Sequence, residues 1–392
     1  MTDFTEVVDR RGTACLKYDF AAERGYPADV LPFWVADMDF KTPEPVRQAL
    51  ISSSEHGIFG YTDVTPAYRD VLAGWFQRRH NWQIDKESLV VTPGVVFAIC
   101  TAVRAFTEPG DSVLICPPVY YPFSESIKSN GRKLVESPLV EKAGHYEIDF
   151  ADFEAQIEAQ QVKMFILCSP HNPVGRVWQQ EELQKVAAIC QKHDVLVVAD
   201  EIHQDFVREG NKHTVFASLS PELAQRVITC TSPSKTFNLA GLQISNIFIE
   251  NPDLRQRFRT EMTAAGYSQP NALGLFAAQA AYREGDSWLQ ELLAYLEENL
   301  QRTRTFLKEN LPQVKLLEPE GTYLLWLDCR ALGLSNRELD ERIIQQGKLW
   351  LDSGWIFGRS GAGFQRINMA CPWSVLQEGL QRLAACYVCN VM

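Results

Sequence analysis

One lysine lies among small and hydroxyl-bearing residues in the run Thr231-Ser-Pro-Ser-Lys-Thr-Phe-Asn-Leu-Ala-Gly-Leu-Gln243. Lys235 follows a short apolar run, residues 227–230, which predicts a buried strand that ends just before it. Between positions 229 and 243 the only other ionisable side chain is Cys230. Because a surface lysine usually has charged neighbours, this setting indicates a sheltered amine, and shelter lowers the pKa of an ammonium group and makes it more nucleophilic. The alternative is a solvated lysine in a loop rich in Ser, Thr and Asn.

The residues around Lys235 also form a motif. Ser232-x-Ser234-Lys235, with Gly241 downstream, resembles the cofactor-bonded lysine motif of fold-type I pyridoxal-phosphate (PLP) enzymes, the class I/II aminotransferase superfamily. The resemblance implies an α/β fold, with a large domain on a mostly parallel sheet of the seven-stranded type and a smaller α/β domain. It also implies that PLP is the cofactor, that Lys235 is bonded to it and acts in catalysis, and that Ser232 and Ser234 help to bind its phosphate.

The composition limits the class of protein. The chain has 392 residues, 46% hydrophobic and 22% charged, which is enough for two folded domains and argues against disorder. The net charge of -11 comes without a run of Lys and Arg, so nothing supports binding to nucleic acid or to an anionic membrane. The N-terminus does not resemble a signal peptide, and no apolar stretch is long enough to span a bilayer. We therefore expect a cytoplasmic protein.

The ten cysteines lie mostly within apolar runs, which is typical of buried, reduced thiols and not of a disulfide framework. Cys386 and Cys389 have CxxC spacing, but no second pair and no histidine accompany them. We interpret this spacing as accidental and predict no metal site.

A phosphate site is predicted where a strand, a glycine turn and a helix start follow one another in Val90-Val-Thr-Pro-Gly-Val-Val-Phe-Ala-Ile99. Free backbone N–H groups and the helix dipole favour an anion at such a junction. Gly94, Val95 and Val96 would supply the donors. The junction occurs in any α/β protein, so its meaning depends on the motifs around it.

A second phosphate ligand is implied by Gly57-Ile-Phe-Gly-Tyr-Thr62. Tyr61 matches the place where dimeric members of the superfamily send a tyrosine across the interface to the neighbouring subunit's cofactor phosphate. The resemblance therefore implies a homodimer with Tyr61 crossing the interface. An ordinary turn tyrosine is the alternative.

Two loops after apolar strands match residues that contact the cofactor ring. Tyr120, in Pro117-Pro-Val-Tyr-Tyr-Pro-Phe123, matches the aromatic residue that stacks on the pyridine ring, although Tyr121 is an alternative. Loops at the carboxyl ends of strands are where open α/β sheets bind ligands. Asn172, in Asn172-Pro-x-Gly175, matches the asparagine that donates a hydrogen bond to the cofactor's phenolic oxygen.

A carboxylate ends the apolar strand in Val195-Leu-Val-Val-Ala-Asp-Glu-Ile-His203, which is a costly place for charge unless a cation compensates it. Asp200 would pair with the pyridinium nitrogen and keep the ring an electron sink. Capping of the next helix is a second role that does not exclude the first. His203 stands where many aminotransferases have a tyrosine, near the phenolic oxygen.

Two further segments point to a carbon-sulfur lyase. Phe33-Trp-Val-Ala-Asp-Met-Asp-Phe40 resembles the N-terminal segment of cystathionine β-lyase-like enzymes that lines the substrate entrance, so Trp34, Ala36 and Asp37 are candidates for binding substrate. Gln243 replaces the arginine that grips the phosphate in many aminotransferases. Glutamine can donate a hydrogen bond but cannot neutralise charge.

The substrate α-carboxylate is assigned to Arg366, which follows Gly361-x-Gly363 in a segment that resembles the family's C-terminal region. A guanidinium is planar, bidentate and permanently charged, which suits a carboxylate. An isolated arginine is more often a surface residue in a salt bridge.

The motifs together predict a large PLP-binding domain at residues 46–284 and a small domain at residues 1–45 and 285–392. The resemblance implies a PLP-dependent β-lyase that acts on cystathionine, cysteine or a related S-substituted cysteine. It releases a thiol, pyruvate and ammonia, and Tyr61, Tyr120 or Lys235 supplies the proton for the thiolate. An aminotransferase is the alternative within the same chemistry. A ligand sensor or regulatory protein that uses the same fold is the alternative from another class.

Overall fold

The structure is a computed structural model that describes residues 2–388. Its strands are, in chain order, β1 (Leu31–Pro32), β2 (Leu89–Thr92), β3 (Ser112–Ile115), β4 (Lys133–Glu136), β5 (Val140–Lys142), β6 (His145–Glu147), β7 (Met164–Cys168), β8 (Leu196–Asp200), β9 (Val227–Thr231), β10 (Ser245–Phe248), β11 (Lys315–Leu317), β12 (Leu324–Asp328), β13 (Leu349–Trp350), β14 (Asp352–Ser353) and β15 (Phe364–Asn368). Its α-helices are α1 (Glu44–His56), α2 (Pro66–His80), α3 (Val95–Phe106), α4 (Pro122–Ser129), α5 (Phe150–Ala159), α6 (Gln180–Lys192), α7 (Pro221–Ala224), α8 (Pro233–Thr236), α9 (Pro252–Ala264), α10 (Ala272–Glu284), α11 (Asp286–Asn310), α12 (Asn336–Glu341) and α13 (Trp373–Val388).

The central sheet has seven strands in the order β2-β10-β9-β8-β7-β3-β4. All are parallel except β10, which is antiparallel to both of its neighbours. Strands β7 and β9 are buried along their whole length, because helices cover both faces of the sheet and exclude water from alternate side chains on either side. This confirms the predicted fold class, a mostly parallel sheet in an α/β protein.

Helices α3 and α9 cover one face of this sheet. Ile99 of α3 and Phe258 of α9 are fully buried in one apolar cluster with Ile166, Val198 and Ile228 of the strands. Asn251 begins α9 by accepting hydrogen bonds from two backbone N–H groups of the first turn, as an N-cap residue does.

A second, antiparallel sheet has the order β11-β12-β15-β14 and lies with the long helix α11 and the C-terminal helix α13. The N-terminal segment joins this part of the molecule, because β1 pairs in parallel with β13. The Asn368 N–H donates to Phe33 O at 2.9 Å, and the Asp39 N–H donates to Ala370 O at 2.9 Å. Residues 33–39 are therefore held in place by the end of β15.

Among residues 2–388, no helix is both long and apolar enough to cross a membrane, and no cluster of three or more His, Cys, Asp or Glu side chains could hold a metal ion. The nine cysteines in this range are all free thiols. Cys386 is buried, whereas Cys389, the other half of the CxxC spacing, lies outside the described residues.

Candidate active site

Five chain segments converge at one edge of the seven-stranded sheet, where its parallel strands end. Asp200 is the last residue of β8, and Lys235 lies in α8, directly after β9. Asn172 follows β7, Tyr120 follows β3, and Gly94 begins α3 after β2. The Tyr120 N–H donates to Asn172 O at 3.0 Å, so two of these loops are bonded directly to each other. This edge is where open α/β sheets bind ligands.

Lys235 is half-buried, and its Nζ donates a hydrogen bond to the backbone oxygen of Ala36 at 2.6 Å. The hydroxyl of Tyr323 donates to the same oxygen at 2.8 Å. Loss of hydration lowers the pKa of Lys235 to about 8, and Arg366 adds to the effect, while Asp37 and Asp200 oppose it. The amine is therefore sheltered, and its lowered pKa brings the uncharged, nucleophilic form closer to neutral pH.

Asp200 is buried and accepts a hydrogen bond from the Ile202 N–H at 3.2 Å. Burial raises the pKa of its carboxyl group to about 7, an effect that this hydrogen bond and the charge of Lys235 only partly offset. A carboxylate in this position would be stabilised by a cation beside it. A protonated ring nitrogen, as in PLP, supplies such a charge.

Arg366 is buried on β15 and reaches the same edge from the second sheet. Its Nη1 donates to Asn172 Oδ1 at 3.0 Å, and its Nη2 donates to Trp34 O at 2.5 Å and to the Asp352 carboxylate. Its guanidinium carbon lies 5.0 Å from the centre of the Phe357 ring. Its Nε is buried and has no hydrogen-bond partner among the described residues, so the group has a donor left for a ligand.

Other unpaired polar atoms are buried near this edge. Ser169 Oγ and His203 Nδ1 have no hydrogen-bond partner in the part of the chain that is described. Burial, with the charges of Lys235 and Arg366, lowers the pKa of His203 well below its ordinary value and so favours the neutral imidazole. Buried polar atoms are normally hydrogen-bonded, and these fit a ligand that offers several polar atoms, as PLP does.

The serines before Lys235 form a cap on α8. Ser232 Oγ accepts from the Ser234 N–H at 3.1 Å and lies 2.7 Å from Ser234 Oγ. Ser232 is buried and Ser234 is partly exposed. Ser234 is therefore the more accessible of the two predicted phosphate ligands.

The turn before α3 has the predicted strand-glycine-helix form. Gly94 is the N-cap residue, and the space where a Cβ would lie is open, with no atom within 4 Å. Val95 and Val96 are the first helical residues, so their N–H groups have no partner within the helix and can bind an anion. These donors fit a phosphate.

Tyr61 is the one predicted cofactor ligand that the chain does not bring to this edge. It lies between α1 and α2 with 96% of its side chain exposed. The prediction assigns it to the site of a neighbouring subunit, so its distance from the other candidates within one chain is consistent with that role and does not test it.

Asp37 has partners that the sequence did not suggest. Its carboxylate accepts from Arg10 at 2.7 Å and lies 3.8 Å from the Nζ of Lys17. Lys17 is fully buried and also pairs with Asp39 at 2.8 Å. The carboxylate of Asp37 therefore takes part in an ion cluster beside Lys235, and this cluster helps to position the segment that carries Ala36.

Sequence reasoning also missed Tyr323, Asp352, Asn238 and Asn368. The last two hold the segment from Val35 to Phe40 through its backbone. Each is a polar residue inside or beside an apolar run. Such a pattern indicates that the polar group is buried, but it does not identify the group to which it is hydrogen-bonded.

The family described as aminotransferase class I and II matches residues 28–383. The chain belongs to this family. It is 46% identical to the cystathionine β-lyase PatB of Bacillus subtilis over 98% of this chain and 99% of that protein.

Two solved structures are also similar. Cystalysin of Treponema denticola, which contains a PLP cofactor, is 41% identical, with a TM-score of 0.95 over 98% of both chains. The PLP-bound C-S lyase of Staphylococcus hominis is 35% identical, with a TM-score of 0.93 over 99% of this chain and 98% of that one. The fold and the superfamily predicted from the lysine motif are thereby confirmed.

Proposed function

We propose that this protein is a PLP-dependent carbon-sulfur β-lyase that eliminates a thiol from cystathionine, cysteine or a related S-substituted cysteine and leaves pyruvate and ammonia. The observation that carries the proposal is the full-length identity of 46% with a cystathionine β-lyase. The chemistry of the sheet edge supports it, because a sheltered lysine, a buried aspartate and a buried arginine occur together there.

The cofactor would be held by residues that fit its separate parts. Lys235 would bond to it covalently, Asp200 would face its ring nitrogen, and Tyr120 would lie against its ring. Asn172 and His203 would face its phenolic oxygen. Its phosphate would be bound by hydroxyl and backbone N–H donors: Ser232, Ser234, Gly94, Val95, Val96 and Tyr61 of the neighbouring subunit. When bound, PLP supplies an electron sink that stabilises negative charge on the substrate Cα, so that the Cβ–S bond can break.

The chain itself would orient the substrate and move protons. Arg366 would bind the α-carboxylate, and its unpaired Nε is available as one of the donors. Lys235 Nζ would remove the Cα proton, because a pKa of about 8 leaves part of the amine uncharged near neutral pH. The Ala36 carbonyl would hold Nζ after the lysine is released from the cofactor. Tyr120, Tyr61 or Lys235 would protonate the departing thiolate.

An aminotransferase remains the second candidate, because the family is named for that activity. Transamination uses the same residues up to removal of the Cα proton and then needs a keto acid to complete each cycle. The test is to incubate the PLP-loaded protein with L-cystathionine and no keto acid. Equal amounts of pyruvate, ammonia and thiol over many turnovers support the lyase. One turnover that resumes only when a keto acid is added supports the aminotransferase, and binding without either reaction supports a sensor.

We also propose a homodimer in which Tyr61 completes the neighbouring subunit's site. Ile58 and Phe59, beside Tyr61, are 73% and 61% exposed, and apolar side chains grouped in this way are typical of an interface. Variants in Tyr61 and Lys235, each inactive alone, should regain activity when their subunits are mixed and exchanged. A fully active monomer would contradict this.

We also propose a cytoplasmic location and a domain division at residues 45/46 and 284/285. The free thiols at all nine described cysteines support the location. The pairing of β1 with β13 supports grouping the N-terminal segment with the C-terminal part of the chain. Limited proteolysis that cuts near residues 45 and 285 and leaves residues 46–284 as a stable core would support the division.

A further inference from the structure

Arg24 lies over the ring of Trp34, one of the candidate substrate-binding residues. Its guanidinium carbon is 5.2 Å from the centre of the Trp34 ring, and its side chain is exposed. Within residues 2–388 it takes part in no ion pair and donates no side-chain hydrogen bond. A guanidinium on an aromatic face retains its donors at its edge, so it can still bind a carboxylate.

Trp34 links this arginine to the one assigned to the α-carboxylate. The backbone oxygen of Trp34 accepts a hydrogen bond from Arg366 Nη2 at 2.5 Å, while its ring supports Arg24. The ring also stacks on Trp350, with centroids 4.3 Å apart and planes 13° apart. Trp350 in turn stacks on Tyr26 at 4.0 Å. The ring beneath Arg24 is therefore fixed in place before any ligand binds.

Tyr121 lies close enough to both arginines to respond to their charges. This tyrosine is half-buried, and burial is the main reason that its pKa is raised. The charges of Arg366 and Arg24 both act to lower that pKa, and those of Asp352 and Glu125 act to raise it. One phenol thus lies within electrostatic reach of the buried arginine of the site and of the exposed arginine outside it.

We propose that Arg24 binds a carboxylate at the far end of the group attached to the substrate's sulfur. The site would then favour S-substituted cysteines whose substituent ends in a carboxylate, of which cystathionine is one, over cysteine and S-alkyl cysteines. Trp34 contacts Arg366 through its backbone oxygen and Arg24 through its ring, so a leaving group that extends past Trp34 from an α-carboxylate on Arg366 would reach a guanidinium with free donors. This inference rests on the proposed lyase function.

The test compares two substrates in the PLP-loaded protein, L-cystathionine and S-methyl-L-cysteine. Arg24→Ala should lower kcat/KM for L-cystathionine about 5- to 10-fold, mainly through KM, and change it less than about twofold for S-methyl-L-cysteine. Arg24→Lys should fall between the parent and Arg24→Ala on L-cystathionine. The matched control is Arg302→Ala, because Arg302 lies on α11 with its guanidinium carbon 5.4 Å from the centre of the Trp373 ring, and it should behave as the parent on both substrates.

Equal losses on both substrates would overturn the proposal, since they would show a general structural role for Arg24, and so would no loss on L-cystathionine. If the parent releases pyruvate from neither substrate, the lyase function fails and Arg24 is tested by binding alone. Calorimetric titration then compares L-2-aminoadipate, which has a distal carboxylate, with L-norleucine, which has none. Tighter binding of L-2-aminoadipate to the parent but not to Arg24→Ala supports the subsite, and equal binding of the two ligands to the parent overturns it.

Discussion

Asn368 connects the last strand of the second sheet to the N-terminal segment, and Asn368→Leu tests how much this connection contributes. The side chain is buried. Its Nδ2 donates to Val35 O at 2.7 Å and to Asp37 O at 2.5 Å, and its Oδ1 accepts from the Ala370 N–H at 2.8 Å. Leucine has a similar size and no polar atom, so the change removes three hydrogen bonds and leaves three backbone groups without these partners.

The expected cost follows from those three groups. A buried polar group that loses its partner costs about 1–3 kcal/mol, and carbonyl oxygens lie at the low end of this range because they tolerate poor pairing better than N–H groups. Two carbonyls at about 1 kcal/mol each and one N–H at about 1–3 kcal/mol give about 3–5 kcal/mol, of which the apolar side chain recovers a part. This is a large fraction of the free energy of unfolding of a typical natural domain, which is about 5–15 kcal/mol.

The measurement is the free energy of unfolding in urea, followed by tryptophan fluorescence in the cofactor-free protein at one fixed protein concentration. The matched control is Asn310→Leu, because Asn310 is exposed at the end of α11 and donates only to Phe306 O at 3.0 Å. We expect the control to change the free energy by less than about 0.5 kcal/mol. A change below about 1 kcal/mol for Asn368→Leu, or one equal to the control, would refute the reasoning from unpaired groups.

Three further predictions concern charged groups of the site. In the cofactor-free protein, acylation of Lys235, followed by peptide mass spectrometry, should titrate with a pKa of about 8, and a midpoint above about pH 10 would contradict a sheltered amine. The folded-state pKa of Asp200 is about 7 and exceeds the ordinary value of about 3.9, so the cofactor-free protein should lose stability as the pH rises from about 4 to about 7. Asp200→Asn should flatten this profile of stability against pH, and a parent profile already flat in that range would contradict the shift. Arg366→Ala should lower kcat/KM by a factor that corresponds to about 2–4 kcal/mol of lost transition-state stabilisation, and Arg366→Lys should recover only part of it, while unchanged kinetics would assign the α-carboxylate to another residue.

The sequence allowed the sheet edge to be predicted because its residues follow apolar runs that announce buried strands. Asp200 directly ends such a run, and Lys235 lies a few residues after another, so their positions follow from local pattern and from the rule that parallel strands end together. The number of strands in this sheet was implied by the family resemblance around Lys235 and not by local pattern. Its single antiparallel strand, β10, was not predicted, since the direction of a strand within a sheet depends on its connections and not on its own residues.

The support around the site could not be predicted in the same way. Lys235 and Tyr323 both donate hydrogen bonds to the Ala36 carbonyl, although the three residues are far apart along the chain. A backbone carbonyl has no residue identity, so no motif marks it as an acceptor. Nor does a motif mark the acceptors of the Asn368 amide group, which donates to two carbonyls of the N-terminal segment. The role of Tyr61 depends on a second subunit and stays a prediction.

The attachment of residues 33–39 to the end of β15 has a consequence for synthesis of the protein on the ribosome. The first part of the site to be translated is the Ala36 segment, and the last is the strand that fixes it. A nascent chain can form the sheet that carries Lys235 while the segment that holds its amine is still unanchored. A product truncated before residue 364 would therefore keep the lysine and its strand but lack Arg366 and Asn368, and we expect such a fragment to be inactive even where its central sheet is folded.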